Sequence, residues 1–251
     1  MQSIRSSLLS PYANLLHAFS TKAKGFSSRP FSQNNLAYHV MDNPQTVKKN
    51  HLHYSQYLDY DINKLVYMNQ VHGDDVKIIN KDSDLSLIPK CDALITQEKN
   101  IPLMVMVADC IPVLIYDPIE NVISVVHAGR AGIFNKIIPK TIKTMQEHFN
   151  TNPSELIIVL GPSIRQCCYE VGSEVNDEAK NLEYSEALHK QGESYYLDLI
   201  AIAKKQLEEI GVNQNNIEIS AYCTSCHHEL FYSYRAEQNN TGRFSGLIML
   251  K

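Results

Sequence analysis

Residues 101–129 read IPLMVMVADCIPVLIYDPIENVISVVHAG. The apolar runs LMVMVA and VLIY flank Asp109-Cys110, and a third run, NVISVV, ends on His127. Short apolar runs rich in Val and Ile, bounded by polar and Pro breaks, read as strands buried within a sheet. Cys110 and His127 therefore fall at strand ends, where open sheets place their ligands.

The pattern continues outward on both sides. Upstream, KLVYM and DVKII between Lys64 and Asn80 are strand-like and enclose Asn69-Gln70-Val71-His72-Gly73. A helix is predicted from Pro44, capped by Asp42 or Asn43, with Val47, His51, Tyr54 and Leu58 on one face. Lys22 to Asn35 is loop-like. Downstream, Phe134 to Phe149 carries apolar residues at helical spacing. ELIIVL (155–160) is a strand, and Leu199, Ala203, Leu207 and Ile210 mark a helix ended by Gly211. IEISAY, ELFYSY and GLIML read as three closing strands. Strands and helices are interspersed without strict alternation. That predicts an α/β (α+β) layered fold with a mixed sheet and argues against a regular βαβ nucleotide fold.

The chain has 251 residues, 44% hydrophobic and 20% charged, with a formal charge of -4. Such a balance supports a large core and gives no basic footprint for nucleic acid or anionic membrane. No apolar run reaches membrane-spanning length, and the N-terminus lacks the continuous apolar region of a secretory signal. The expectation is one domain over 1–251 in the cytoplasm. Six cysteines are too sparse for a disulfide scaffold.

Several residues can carry chemistry. His72, Cys110 and His127 supply two imidazoles and a thiolate, a donor set suited to Zn²⁺ or copper with a fourth position left open. The same residues also read as ordinary strand-end and core positions, and Cys110 with His127 reads equally as a nucleophile and its base. Cys223-Thr-Ser-Cys226-His227 has haem-attachment spacing, but no export signal accompanies it. A zinc ribbon needs a second spaced pair, which the adjacent Cys167-Cys168 do not offer. Tyr169 and Glu170 are candidates for a pocket wall, with Glu170 a possible acid. Arg235 and Arg243 suit a phosphate or carboxylate.

Taken in order, the motifs form a set. They are Asn69-Gln-Val-His72-Gly, Cys91-Asp-Ala-Leu-Ile-Thr96, Ala108-Asp-Cys110-Ile-Pro-Val, Val126-His127-Ala-Gly, Gly161-Pro-Ser-Ile with Cys168-Tyr-Glu-Val-Gly172, and Phe231-Tyr-Ser-Tyr-Arg235 with Thr241-Gly-Arg243. Together they resemble the laccase-domain family, also called YfiH-like or polyphenol-oxidase-like, from about Phe19 to the C-terminus. The resemblance implies an α/β/β/α sandwich with mixed sheets. It implies a metal, zinc or alternatively copper, held by His72, Cys110 and His127, which serve as both ligands and catalytic centre. It implies purine nucleoside phosphorylase activity on adenosine, inosine and S-methyl-5'-thioadenosine, with adenosine deaminase activity besides. Purine nucleoside and phosphate are then the partners, contacted by Asn35, Arg130, Tyr169, Glu170, Arg235 and Arg243. The other classes are a copper-dependent polyphenol oxidase and a metal-free cysteine hydrolase or amidase of the peptidoglycan-related kind.

Two segments depart from the family pattern: the usual Ser-Leu-Asn-Leu-Gly is here Gln33-Asn34-Asn35-Leu36-Ala37, which keeps Asn35 and loses the Gly. Gly-Trp-Arg-Gly is usual after the third ligand, whereas this chain has Gly129-Arg130-Ala131-Gly132 and no Trp at all.

Overall fold

The computed structural model describes residues 2–251. Two sheets stack face to face. One has the strand order β1 (Ser3–Ile4), β2 (Leu15–Ser20), β14 (Phe244–Leu250), β6 (Leu103–Val107), β3 (Val66–Tyr67). The other runs β13 (Ile217–Ile219), β9 (Ile157–Leu160), β7 (Ile111–Asp117), β8 (Val122–Ala128), β5 (Ala93–Thr96), β4 (Val76–Ile79). Both are mixed: β3 with β6, β4 with β5 and β13 with β9 are parallel, while β7 with β8 is antiparallel.

Side-chain alternation distributes the apolar runs over three cores. Val105 and Val107 of β6 and Phe244 and Ile248 of β14 meet Leu114 of β7 and Ile123 and Val125 of β8 between the sheets. The opposite face of the first sheet, Met104, Met106, Leu247 and Met249, packs on Tyr54 and Leu58 of α1 (Pro44–Leu58). The opposite face of the second, including Val113, Ile115, Val122 and Val126, packs on α3 (Ile137–Phe149) and α5 (Leu199–Glu209). Each strand of the central pairs is buried on both sides, so the quoted runs are continuous rather than alternating. The result is the expected α/β/β/α sandwich. Helix α1 starts where predicted, with the Asn43 side chain accepting from the Gln45 backbone N–H.

Two local expectations need correction, and one region adds elements not expected. Phe134–Phe149 is not one helix: α2 (Arg130–Phe134) stops, Lys136 turns left-handed at φ 59°, and α3 begins after it. ELFYSY is not a strand. Phe231, Tyr232 and Ser233 are buried in succession, and the N–H groups of Leu230 and Phe231 both donate to the His227 carbonyl, so the segment winds in turns. Between β9 and α5 the chain adds α4 (Ser173–Asn181) and a small sheet in the order β10 (Glu170–Val171), β12 (Ser194–Leu197), β11 (Leu188–Gln191). These short, half-exposed strands carry little apolar signal. Among the described residues no helix is long and apolar enough to cross a membrane.

Candidate metal centre

The chain leaves the first sheet at the end of β6, turns through Ala108-Asp109-Cys110, and enters the second sheet as β7. Cys110 therefore lies at the mouth of the seam between the sheets. His127 is the penultimate residue of β8, on the same strand face as Ile123 and Val125, so it points into the seam. His72 comes from the loop after β3, with its backbone in the left-handed region at φ 58°. One imidazole nitrogen of each histidine and the Cys110 Sγ lie within 4.8 Å of one another. The rings of His72 and His127 meet edge to face at 4.7 Å. Burial is graded: His127 is buried, Cys110 half-buried and His72 exposed, so the cluster opens to solvent on the His72 side.

Gly129 makes this convergence possible. A Cβ there would stand 3.0 Å from Cys110 Sγ, 3.3 Å from His72 Cδ2 and 3.6 Å from His127 Nε2. A side chain at this position would occupy the space into which the three donors point.

Asp92, at the start of β5, organises the cluster. Its Oδ1 lies 2.8 Å from His127 Nδ1, which leaves Nε2 facing Cys110. The same carboxylate accepts the backbone N–H groups of Val71, His72 and Gly73 at 3.2, 3.0 and 2.8 Å. One buried side chain thus fixes the loop carrying one donor and the tautomer of another. The Asp92 carboxyl is fully buried, yet these partners hold it below its ordinary range against the cost of desolvation. Asp92 stood inside a quoted motif, but no pattern in the sequence connects it to residues 20 and 35 positions away.

The electrostatics fit a metal. Burial pushes the Cys110 thiol up, but His127 and His72 outweigh it and bring the thiol down to about 6. Burial pulls the His127 ring down, but the Cys110 and Asp92 charges outweigh that and raise it to about 9. A thiolate between two imidazoles, one oriented by a carboxylate, is a donor set that zinc or copper accepts.

The cluster forms one wall of a cavity of about 430 Å³. Arg130, Tyr169, Arg235 and Arg243 line the same space, as do His39 and Tyr234, which sequence reasoning passed over. The three arginines differ. Arg130 is paired with Glu178 at 2.5 Å and lies over Phe134. Arg235 donates to the carbonyls of Cys168 and Glu170, over the Tyr169 ring. Arg243 donates to the carbonyls of Thr241 and Gly242, over the Tyr234 ring. Among the described residues no carboxylate forms an ion pair with Arg235 or Arg243, so both bring net positive charge to the cavity.

Two expected contact residues stand elsewhere. Asn35 is fully buried behind the wall, where its Oδ1 accepts the backbone N–H of Ala37 and of Arg243. It holds the segment that carries Arg243 into β14. Glu170 is exposed, its carboxylate accepts from the Ser194 hydroxyl at 2.5 Å, and it does not line the cavity. Only its backbone carbonyl reaches Arg235.

Similarities to known proteins extend over nearly the whole chain. The family model described as multi-copper polyphenol oxidoreductase laccase matches residues 16–251. Purine nucleoside phosphorylase YlmD of Bacillus subtilis is 32% identical over 247 residues, covering 94% of this chain and 89% of that protein. The solved structure of YfiH from Bacillus licheniformis superposes with a TM-score of 0.91 at 31% identity, covering 94% of this chain and 93% of that one. YlmD from Geobacillus stearothermophilus gives a TM-score of 0.90 at 29% identity, covering 96% and 93%.

Proposed function

This chain belongs to the multi-copper polyphenol oxidoreductase laccase family, and on that premise we propose that it is a metal-dependent purine nucleoside phosphorylase. The substrates in this reading are adenosine, inosine and S-methyl-5'-thioadenosine, with phosphate as co-substrate. The observation that carries it is the shared cavity: a His, Cys, His donor cluster faces the same space as two arginines without carboxylate partners. Relatives carrying the phosphorylase name, such as YlmD of Bacillus subtilis, add support.

His72, Cys110 and His127 would hold the ion. When bound there, zinc or copper would supply Lewis-acid charge to a substrate oxygen. Arg235 and Arg243 bind the phosphate by charge-assisted hydrogen bonds and hold it in line with the glycosidic carbon. Their guanidinium groups are already anchored to backbone carbonyls, so little side-chain freedom is lost on binding. Tyr169 and Tyr234 offer aromatic surface to the purine. Burial and then the neighbouring Arg243 hold the His39 imidazole below its ordinary range, so it enters the cavity neutral, as both donor and acceptor. Phosphate adds to the ribose carbon as the bond to the purine nitrogen breaks, giving the corresponding ribose 1-phosphate and the free base, which takes up the proton that phosphate loses. Adenosine deamination is the second part of the proposal: water adds at C6 of the purine and the amino group leaves as ammonia, giving inosine.

One further reading has its own observation. The Asp92, His127, Cys110 alignment, with a lowered thiol and a raised imidazole, is also that of a cysteine hydrolase. Incubation with inosine separates the two. Ribose 1-phosphate formed only when phosphate is present supports phosphorolysis. Amide hydrolysis by metal-free protein, lost in Cys110→Ala, supports the hydrolase. A polyphenol oxidase of the multi-copper kind needs several histidine-rich sites. Of the two donor clusters among the described residues, one contains histidine.

A further inference from the structure

A second donor cluster lies outside the cavity. Cys167 and Cys168 sit on the loop leaving β9, and Cys223 and Cys226 on the turns after β13. Fifty-odd residues of chain separate the two pairs, yet all four Sγ atoms lie within 4.8 Å of one another. The adjacent Cys167-Cys168 pair, unsuited by spacing to a ribbon, is brought against Cys223-Thr-Ser-Cys226 by the fold.

The distances discriminate between chemistries. Sγ of Cys167 is 3.7 Å from that of Cys168 and 3.6 Å from that of Cys226, and Cys168 to Cys226 is 3.4 Å. A disulfide requires about 2.05 Å. Four sulfurs at about 2.3 Å from a tetrahedral zinc lie roughly 3.8 Å apart, close to the observed edges. Cys223 is buried, whereas Cys167 and Cys226 are exposed, so an ion can reach the cluster from solvent.

We propose that Cys167, Cys168, Cys223 and Cys226 form a second, structural zinc site that clamps two loops of the cavity wall together. Binding replaces thiol protons and changes no oxidation state. The two loops already touch: Thr224 N–H donates to the Ser163 carbonyl at 3.1 Å, and the Arg165 guanidinium donates to the Ser220 carbonyl. From one loop Tyr169 reaches the cavity, and Arg235, which follows the other, binds the Cys168 carbonyl. Asp109, beside Cys110, joins the same region by accepting from the Thr224 hydroxyl at 2.6 Å and the Arg235 backbone N–H at 2.7 Å. The ion therefore positions the phosphate-binding wall without touching substrate.

The test is metal content and thiolate spectroscopy on the full chain. Purified protein should bind two zinc ions. His72→Ala/His127→Ala should lose one and keep the other, and Cys167→Ser/Cys226→Ser should do the reverse while retaining its circular dichroism. Cobalt loaded into the histidine double variant should give the intense charge-transfer bands of a tetrathiolate, and these should be absent after Cys226→Ser alone. Unchanged zinc content in the cysteine double variant would overturn the proposal. So would free alkylation of these thiols in zinc-loaded protein, or a Cys168–Cys226 disulfide in freshly purified protein with no second ion. None of these readouts depends on nucleoside turnover, so they stand or fall apart from the phosphorylase assignment.

Discussion

Asp92 Oδ1 lies 2.8 Å from His127 Nδ1, and the same carboxylate receives three backbone N–H groups from the loop that carries His72. The His72, Cys110, His127 cluster is thus built around a residue that is not itself one of its three members. Asp92→Asn keeps the volume but removes the charge and can present the wrong group to the ring. Such outer partners typically contribute about 10–100-fold in metal affinity. The variant should lose zinc to a competing chelator by that order, with the fold intact by circular dichroism. Unchanged zinc affinity would remove Asp92 from the account.

Gly129 provides a steric test. Its φ of -76° and ψ of 173° suit any residue, so Gly129→Ala introduces no backbone strain. The added methyl would press on Cys110 Sγ at 3.0 Å and His72 Cδ2 at 3.3 Å. Metal affinity and turnover should fall while the melting temperature moves by only a few degrees. A variant with full metal occupancy and turnover would show that the donors have room to spare.

The arginines should separate by their existing partners. Arg235→Ala and Arg243→Ala should each raise the KM for phosphate by on the order of 10–100-fold, the size of one or two charge-assisted hydrogen bonds. Arg130→Ala should cost only a few-fold, because Glu178 already occupies its guanidinium. Steady-state kinetics against phosphate at fixed inosine measures all three. An Arg130 effect larger than the other two would mean that Glu178 releases it in the complex.

Two buried histidines away from the cavity predict an acid sensitivity. Burial lowers both His17 and His51 from 6.5 to about 4, with Arg5 adding to the effect at His17. The unfolded chain then binds more protons than the folded one between pH 6.5 and 4, and stability falls as pH drops through that window. Each contributes at most about 3 kcal/mol. Cys110 and His127 exchange protons in opposite senses between about 6 and 9, whereas the lowered His39 acts in the same direction as His17 and His51. Urea unfolding at pH 7 and pH 4.5 checks this, and a flat profile would contradict it.

Legibility from sequence followed the range of the interactions. The strands of residues 101–129 and helix α1 with its Asn43 cap were readable because burial and capping leave local patterns. The three members of the candidate metal cluster were identifiable only through a set of ordered motifs, since nothing in their spacing brings His72 near His127. The Asp92 link and the four-cysteine cluster are tertiary: each joins segments whose separation carries no periodic signal. Glu229–Tyr234 misled for a different reason. Phe231 and Tyr232 fill the core from consecutive positions, which mimics strand composition without strand alternation.

Ribose 1-phosphate formation from inosine by metal-stripped protein, before and after one zinc is restored to the His72, Cys110, His127 cluster, tests the central claim most directly. The account predicts phosphate-dependent product only after restoration in the parent chain, and none in His72→Ala/His127→Ala under the same conditions. Equal product from the stripped protein, or from the double variant, would contradict it.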